Sequence, residues 1–167
     1  LARDAAERAA LWKCRKRAFG AIGRLSPNYV TQDGVVPRSK LPEIMQFIRS
    51  VSDRYCLRIP NVFHAGDGNI HPLILYDERE PDQVKRALQA GNDILGKCIE
   101  LGGSVTGEHG IGAEKIDFMS RQFAAEDLDA MKQLRRVFDP KNQCNPHKMF
   151  PGAKRCAEFV LKKQVTA

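Results

Sequence analysis

Residues 64–71 read HAGDGNIH, with Asp67-Gly68 at the centre and two of the chain's four histidines at the ends. Aspartate-glycine suits a two-residue hairpin loop, because the turn needs positive φ and Gly68 tolerates it at no steric cost. With Asp67 and Gly68 as the loop, Gly66 faces Asn69, Ala65 faces Ile70, and His64 faces His71. Directly opposed residues on paired strands share a face, with Cβ atoms roughly 4.5–5.5 Å apart. Two imidazoles so placed can close on one metal ion, and the plainer reading of the pair is two polar strand residues.

The segments around this hairpin set the fold class. Residues 1–20 read as an amphipathic helix with Ala5, Ala9, Trp12 and Phe19 on its apolar side, and Pro27 ends that region. NYVTQDGVVPRSKL, residues 28–41, is rich in strand formers up to Pro37. A helix follows over about 42–55, where Ile44, Ile48, Val51 and Tyr55 recur at helical spacing and Pro42 suits the first turn. The strands flanking Asp67-Gly68 are expected at 56–64 and 69–76. Pro81 opens a helix to Leu101 with Val84, Leu88, Gly91, Leu95 and Cys98 on one face, closed by Gly102 and Gly103. Further helices are expected near 113–121 and 124–137, the last stopped by Phe138-Asp139-Pro140, with a short helix in the terminal tail. This order implies an α+β fold: a ferredoxin-like antiparallel sheet with helices packed on one face, plus C-terminal helices.

A chain of 167 residues, 43% hydrophobic and 28% charged, fits one globular domain with a real core. No apolar run approaches the roughly 20 residues that cross a bilayer, and no signal peptide opens the chain. It begins at Leu1 inside an alanine-rich helical stretch, which reads as a piece of a longer protein. Five scattered cysteines without a C-x-x-C point to a reducing compartment and to small buried or half-buried roles. The net charge of +7 concentrates in KCRKR at 13–17 with Arg24 nearby, in Lys154-Arg155 and in Lys162-Lys163. Such a balance suits nucleic acid, an anionic small substrate or an acidic partner. Aromatic residues do not interleave with these clusters as a stacking platform requires, so solvated helix faces account for most of the charge.

A second histidine cluster lies at GEHGIG, residues 107–112. Its glycines let the backbone turn sharply and approach a ligand, but the order does not match a phosphate-cradling fingerprint. Glu108 completes a set with His64 and His71. Two imidazoles and a carboxylate leave a coordination position open, the pattern of catalytic zinc, manganese or iron sites. His109 then stands beside the metal as a general base. His147 carries no partner pattern.

HAGDGNIHPLI (64–74), GGSVTGEHGIGAEK (102–115) and FDPKNQCNPHKMFP (138–151) together resemble the C-terminal domain of the FAD-linked oxidases, a family that includes D-lactate dehydrogenases, D-2-hydroxyglutarate dehydrogenases and the flavin subunit of glycolate oxidase. LWKCRKRAF (11–19), NYVTQDGVVPRSKLP (28–42) and RCAEF (155–159) look most like the last of these. The resemblance covers nearly the whole chain. It implies a substrate- and metal-binding domain, residues 1–167, of a cytoplasmic flavoenzyme that oxidises a small 2-hydroxy acid. FAD would be held mainly by a separate N-terminal domain, and an iron–sulfur subunit and membrane association through partner subunits fit the same likeness. The resemblance further implies metal ligation by His64, His71 and Glu108, with zinc or manganese as the ion. It makes His109 the base, sets Arg15 on the substrate carboxylate and brings Asn145 to the flavin. Two departures stand out. His147 replaces the glycine of the family's N-P-G-K, and Thr31 and Leu73 replace a lysine and an asparagine that bind longer diacids, which favours glycolate or lactate. The competing reading is a non-catalytic basic α+β module that binds nucleic acid or another polyanion.

Overall fold

The computed structural model describes residues 1–151. The expected terminal helix, the RCAEF motif, Cys156 and the basic pairs at 154–155 and 162–163 lie outside the described residues. The element order is α1 (Ala5–Ile22), β1 (Asn28–Thr31), β2 (Gly34–Val35), α2 (Leu41–Tyr55), β3 (Asn61–His64), β4 (Asn69–Tyr76), α3 (Pro81–Glu100), α4 (Ile116–Gln122) and α5 (Ala125–Phe138). The fold is α+β, with an open antiparallel sheet.

β4 is the central strand. On one side it pairs with β1, where Asn28 faces Tyr76 and Thr31 faces Leu73, and with β2, where Gly34 faces Ile70. The register is the same across the break, and the Gln32 N–H donates to the Pro72 carbonyl at 3.0 Å. The strand read as continuous is therefore interrupted only at Gln32-Asp33, which places Asp33 beside His71. On the other side β4 pairs with β3. β3 is shorter than the 56–64 expected, but the chain before it stays alongside, with Leu73 N–H donating to Pro60 O and Leu75 N–H to Arg58 O.

Period-two alternation divides β4 between two cores. Ile70 and Ile74 face α2 and α3, where they pack with Ile44, Ile48, Val51, Ala87, Ala90 and Ile94. Leu73 and Leu75 face the opposite side with Val62 and Ile22, and His71 shares that side. α3 begins at Pro81 and buries Ala87, Gly91, Ile94, Leu95 and Cys98. Leu88, expected on the buried face, is 47% exposed, because the helix turns Ala87 and Ala90 toward the sheet. α1 is a helix as expected, capped by Asp4 Oδ1 accepting from Glu7 N at 2.8 Å. Its expected apolar side is not packed, since only Ile22 is buried and Trp12 is 59% exposed. Of the four described cysteines only Cys98 is buried, its thiol pushed up to about 12 by burial, while Cys14, Cys56 and Cys144 are exposed, against the buried roles expected of them.

The hairpin between β3 and β4 corrects the expected register. His64 pairs with Asn69 and His71 with Val62, so the loop is four residues, 65–68, and not two. Asp67 N–H donates to His64 O at 3.0 Å within it. Gly68 has φ +75°, and a Cβ there would lie 2.1 Å from Val36 O. Gly68→Ala is therefore expected to lower stability by roughly 1–3 kcal/mol from the backbone conformation alone, with the clash adding to it. Urea unfolding at fixed pH measures this.

Candidate metal centre

The register correction moves the pairing by two residues, an even number, so the faces are unchanged. His64 and His71 are diagonal neighbours on one face, with ring centroids 5.4 Å apart and planes at 88°. That face is the one turned away from α2 and α3.

Glu108 arrives from the sheet edge. After α3 the chain forms a bridge to β2, with Val35 N–H donating to Ser104 O at 2.8 Å and Ser104 N–H to Val35 O at 2.9 Å. Val105 is buried against Leu95 and Phe118, which anchors the root of the segment. The chain then leaves the sheet and turns over the end of β4. Gly107 is needed here, because a Cβ would meet the Asn69 side-chain amide at 2.6–2.9 Å.

This path brings the Glu108 carboxylate among the imidazoles. Glu108 Oε1 lies 3.0 Å from His71 Nε2, 3.8 Å from His64 Nε2 and 3.7 Å from His109 Nε2. One ligand atom each from His64, His71 and Glu108 falls within 4.8 Å of the others. His71 is deeply buried, its side chain 4% exposed, while those of His64, Glu108 and His109 are 45%, 52% and 50% exposed. The set therefore has a fixed floor and an open mouth. The His109 ring stacks on His71 at 5.3 Å with planes 14° apart. Although Glu108 and His109 are sequence neighbours, both reach the cluster.

His71 also shows what the donor set lacks. Its Nδ1 lies 3.3 Å from the Gln32 carbonyl, which can only accept, so Nδ1 is placed to donate there. In the neutral ring the Nε2 lone pair then faces a carboxylate oxygen at 3.0 Å. With Nδ1 as the donor, Nε2 and the carboxylate oxygen are two acceptors facing each other, an arrangement that a divalent ion between them would satisfy. A carbonyl fixing the tautomer from behind is the usual outer-shell arrangement of a metal-binding histidine. The residues present fit a divalent ion.

Comparison with known proteins gives the family of the chain. Residues 1–149 match the family described as FAD linked oxidases, C-terminal domain. The chain belongs to that family. As an FAD-linked oxidase domain it is 50% identical over 159 residues to glycolate oxidase subunit GlcD of Escherichia coli K12, covering 95% of this chain and 32% of that protein. It is 42% identical over 141 residues to glycolate oxidase subunit GlcD of Bacillus subtilis, covering 84% of this chain and 30% of that protein. To the mitochondrial D-lactate dehydrogenase [cytochrome] of Arabidopsis thaliana it is 32% identical over 143 residues, covering 84% of this chain and 25% of that protein. The chain thus spans about a third of the length of these two glycolate oxidase subunits. No helix among its described residues is long and apolar enough to cross a membrane.

The other two residues singled out in this FAD-linked oxidase domain share no hydrogen bond or ion pair with the cluster. Arg15 is half-buried on α1, and no hydrogen bond or ion pair joins it to the histidines. Asn145 lies in the exposed loop after α5 with φ +46°, and its carbonyl accepts from Arg135 at 3.3 Å. Asp139 organises that loop by accepting from Gln143 N and Cys144 N, which holds its carboxyl below the usual range. His147, standing where the family favours glycine, adopts φ +63°, a left-handed conformation that glycine takes most readily. The tail returns to the glycine-rich segment, where Met149 N–H donates to Gly112 O at 2.8 Å.

Asp33 and Lys115 were not singled out in the sequence, and both prove central to the site's frame. Asp33 is fully buried. Burial alone would raise its carboxyl, but hydrogen bonds from His109 N, Thr106 Oγ1, Glu108 N and Gly107 N outweigh that and hold it far below the usual carboxylate range. Lys115 is also buried, and donates to Asp33 O at 2.9 Å and Val105 O at 2.7 Å. Burial pulls its ammonium below its ordinary value, while the Asp33 charge opposes that shift. The available signal was Asp33-Gly34, a second copy of the turn dipeptide at 67–68, but its partners lie more than 70 positions away in sequence.

Proposed function

We propose that this chain is the substrate- and metal-binding part of a flavin-linked dehydrogenase that oxidises a small 2-hydroxy acid, glycolate or D-lactate, to the 2-oxo acid. The observation that carries the proposal is the convergence of His64, His71 and Glu108 within 4.8 Å, with His109 stacked beside them. The relatives, a glycolate oxidase subunit and a D-lactate dehydrogenase, support the substrate class.

In this reading His64, His71 and Glu108 hold a zinc or manganese ion, which would supply Lewis acidity toward the substrate's hydroxyl oxygen. FAD, bound mainly by an N-terminal domain, would serve as hydride acceptor. The chain's own residues do the rest. His109 Nε2 removes the hydroxyl proton, and its stacking on the buried His71 ring fixes the imidazole plane without closing the site. Arg15 would offer a planar, always-charged donor to the substrate carboxylate, and Asn145 would be the residue that meets the flavin. Thr31 and Leu73 carry no charged or amide group for a second substrate carboxylate, in line with a small substrate. An iron–sulfur subunit is the fitting electron-accepting partner. A basic module for nucleic acid leaves the His/Glu convergence without a use.

The test is anaerobic mixing of the flavin-loaded intact protein with glycolate or D-lactate. Bleaching of the oxidised flavin, lost after chelation and restored by Zn²⁺ or Mn²⁺, is expected. Metal-replete protein whose flavin stays oxidised with every small 2-hydroxy acid contradicts the reading.

A further inference from the structure

We infer that Asp33 is the positioning residue of this centre: its buried carboxylate sets where Glu108 and His109 stand. The inference rests on the functional reading above and extends it to residues outside the ligand set.

The backbone hydrogen bonds of the glycine-rich segment account for it. Once the chain leaves the bridge at Ser104, the sheet can no longer satisfy its N–H groups, and buried or half-buried N–H groups must find other partners. Asp33 Oδ2 accepts from Gly107 N at 2.9 Å, Glu108 N at 3.1 Å and His109 N at 2.9 Å. It also accepts from Thr106 Oγ1 at 2.7 Å. Thr106 Oγ1 in turn accepts from Gly110 N at 2.8 Å. Four consecutive N–H groups thus end, directly or through one hydroxyl, on a single carboxylate, and the first three form an anion-holding nest around it.

The side chains of Glu108 and His109 have no comparable anchors. Both are about half exposed, and their polar contacts are with the cluster itself. Their place over the end of β4 follows from the backbone, and the backbone is tied to Asp33. The same two-residue break in the strand serves the third partner, because Gln32 O lies 3.3 Å and Asp33 Oδ1 3.9 Å from His71 Nδ1. Lys115 Nζ, 3.7 Å from Asp33 Oδ2, supplies the opposite charge that lets a carboxylate stay ionised in this position. One interruption of one edge strand therefore orders two ligands and the base.

Asp33→Asn keeps the shape and removes the charge and half of the acceptors. In the intact protein containing residues 1–167, with Co²⁺ as the probe, we expect affinity to fall by about 10–100-fold, as for other outer-shell changes. The visible Co²⁺ spectrum should change, and amide exchange at 107–110 should accelerate. The core variant Ile94→Val, which thins the packing under α3, should lower Tm and leave all three readouts unchanged. If Asp33→Asn does not fold, Thr106→Val takes its place, with the same directions expected. Unchanged Co²⁺ affinity and unchanged exchange at 107–110 overturn the inference. A parent protein that takes up no Co²⁺ refutes the metal reading instead, and exchange at 107–110 then decides the role of Asp33 alone: acceleration confined to the Asp33 and Thr106 variants supports it, and equal protection overturns it.

Discussion

Glu108→Ala is expected to abolish high-affinity divalent-metal binding while leaving the fold in place. Glu108 would supply the only anionic ligand of the proposed three, and its Oε1 is the shared vertex, 3.0–3.8 Å from three imidazole nitrogens. Removing it leaves two neutral donors, too few to compete with water for a hard or borderline cation. The loss should exceed the roughly 10–100-fold that outer-shell substitutions cost. The side chain is about half exposed, so stability should stay within about 0.5 kcal/mol, as for ordinary surface changes. His71→Ala removes a ligand too, but empties a buried position, so it should lower both affinity and Tm. Calorimetric titration with Zn²⁺ beside a thermal melt separates the two. Equal affinity in Glu108→Ala and the parent contradicts the ligand assignment.

His109→Asn is expected to do the opposite: keep the metal and lose the rate. His109 Nε2 is 3.7 Å from Glu108 Oε1, and in the proposed reading it would take the hydroxyl proton of a substrate held at the ion. General-base catalysis contributes typically about 10²–10⁴-fold, so flavin reduction by substrate should slow by that order. Metal affinity should hold, because the group whose ligand atoms converge is His64, His71 and Glu108. Stopped-flow flavin reduction, with metal content measured on the same sample, checks both halves. A variant that reduces flavin at the parent rate removes His109 from the chemistry.

Local signals made much of this architecture legible in the sequence. Prolines and helical spacing placed α2 and α3 nearly to the residue. Asp67-Gly68 marked the hairpin, and Gly68 does take positive φ. The loop length was misjudged, because Asp67 N–H closes onto His64 O and makes the loop four residues long. The error cost nothing at the site, since a two-residue shift in a period-two strand returns each side chain to its own face. What was not legible depends on distant contacts. Nothing near Asp33 announces that it will cap Gly107, Glu108 and His109, whereas the apolar residues of α1 do not gather on one face, in keeping with an exposed Trp12. Leu88 and Ala87 differ by one helical step, and which of them meets the sheet follows from how α3 packs across β4. Period alone does not decide it.

The most direct measurement is a crystal of the intact protein saturated with Zn²⁺, with anomalous differences recorded at the zinc edge. The account requires one strong peak in bonding contact, about 2.0–2.2 Å, with nitrogens of His64 and His71 and a carboxylate oxygen of Glu108. A map without a peak there at saturating zinc, or with its only strong peak on other residues, contradicts it.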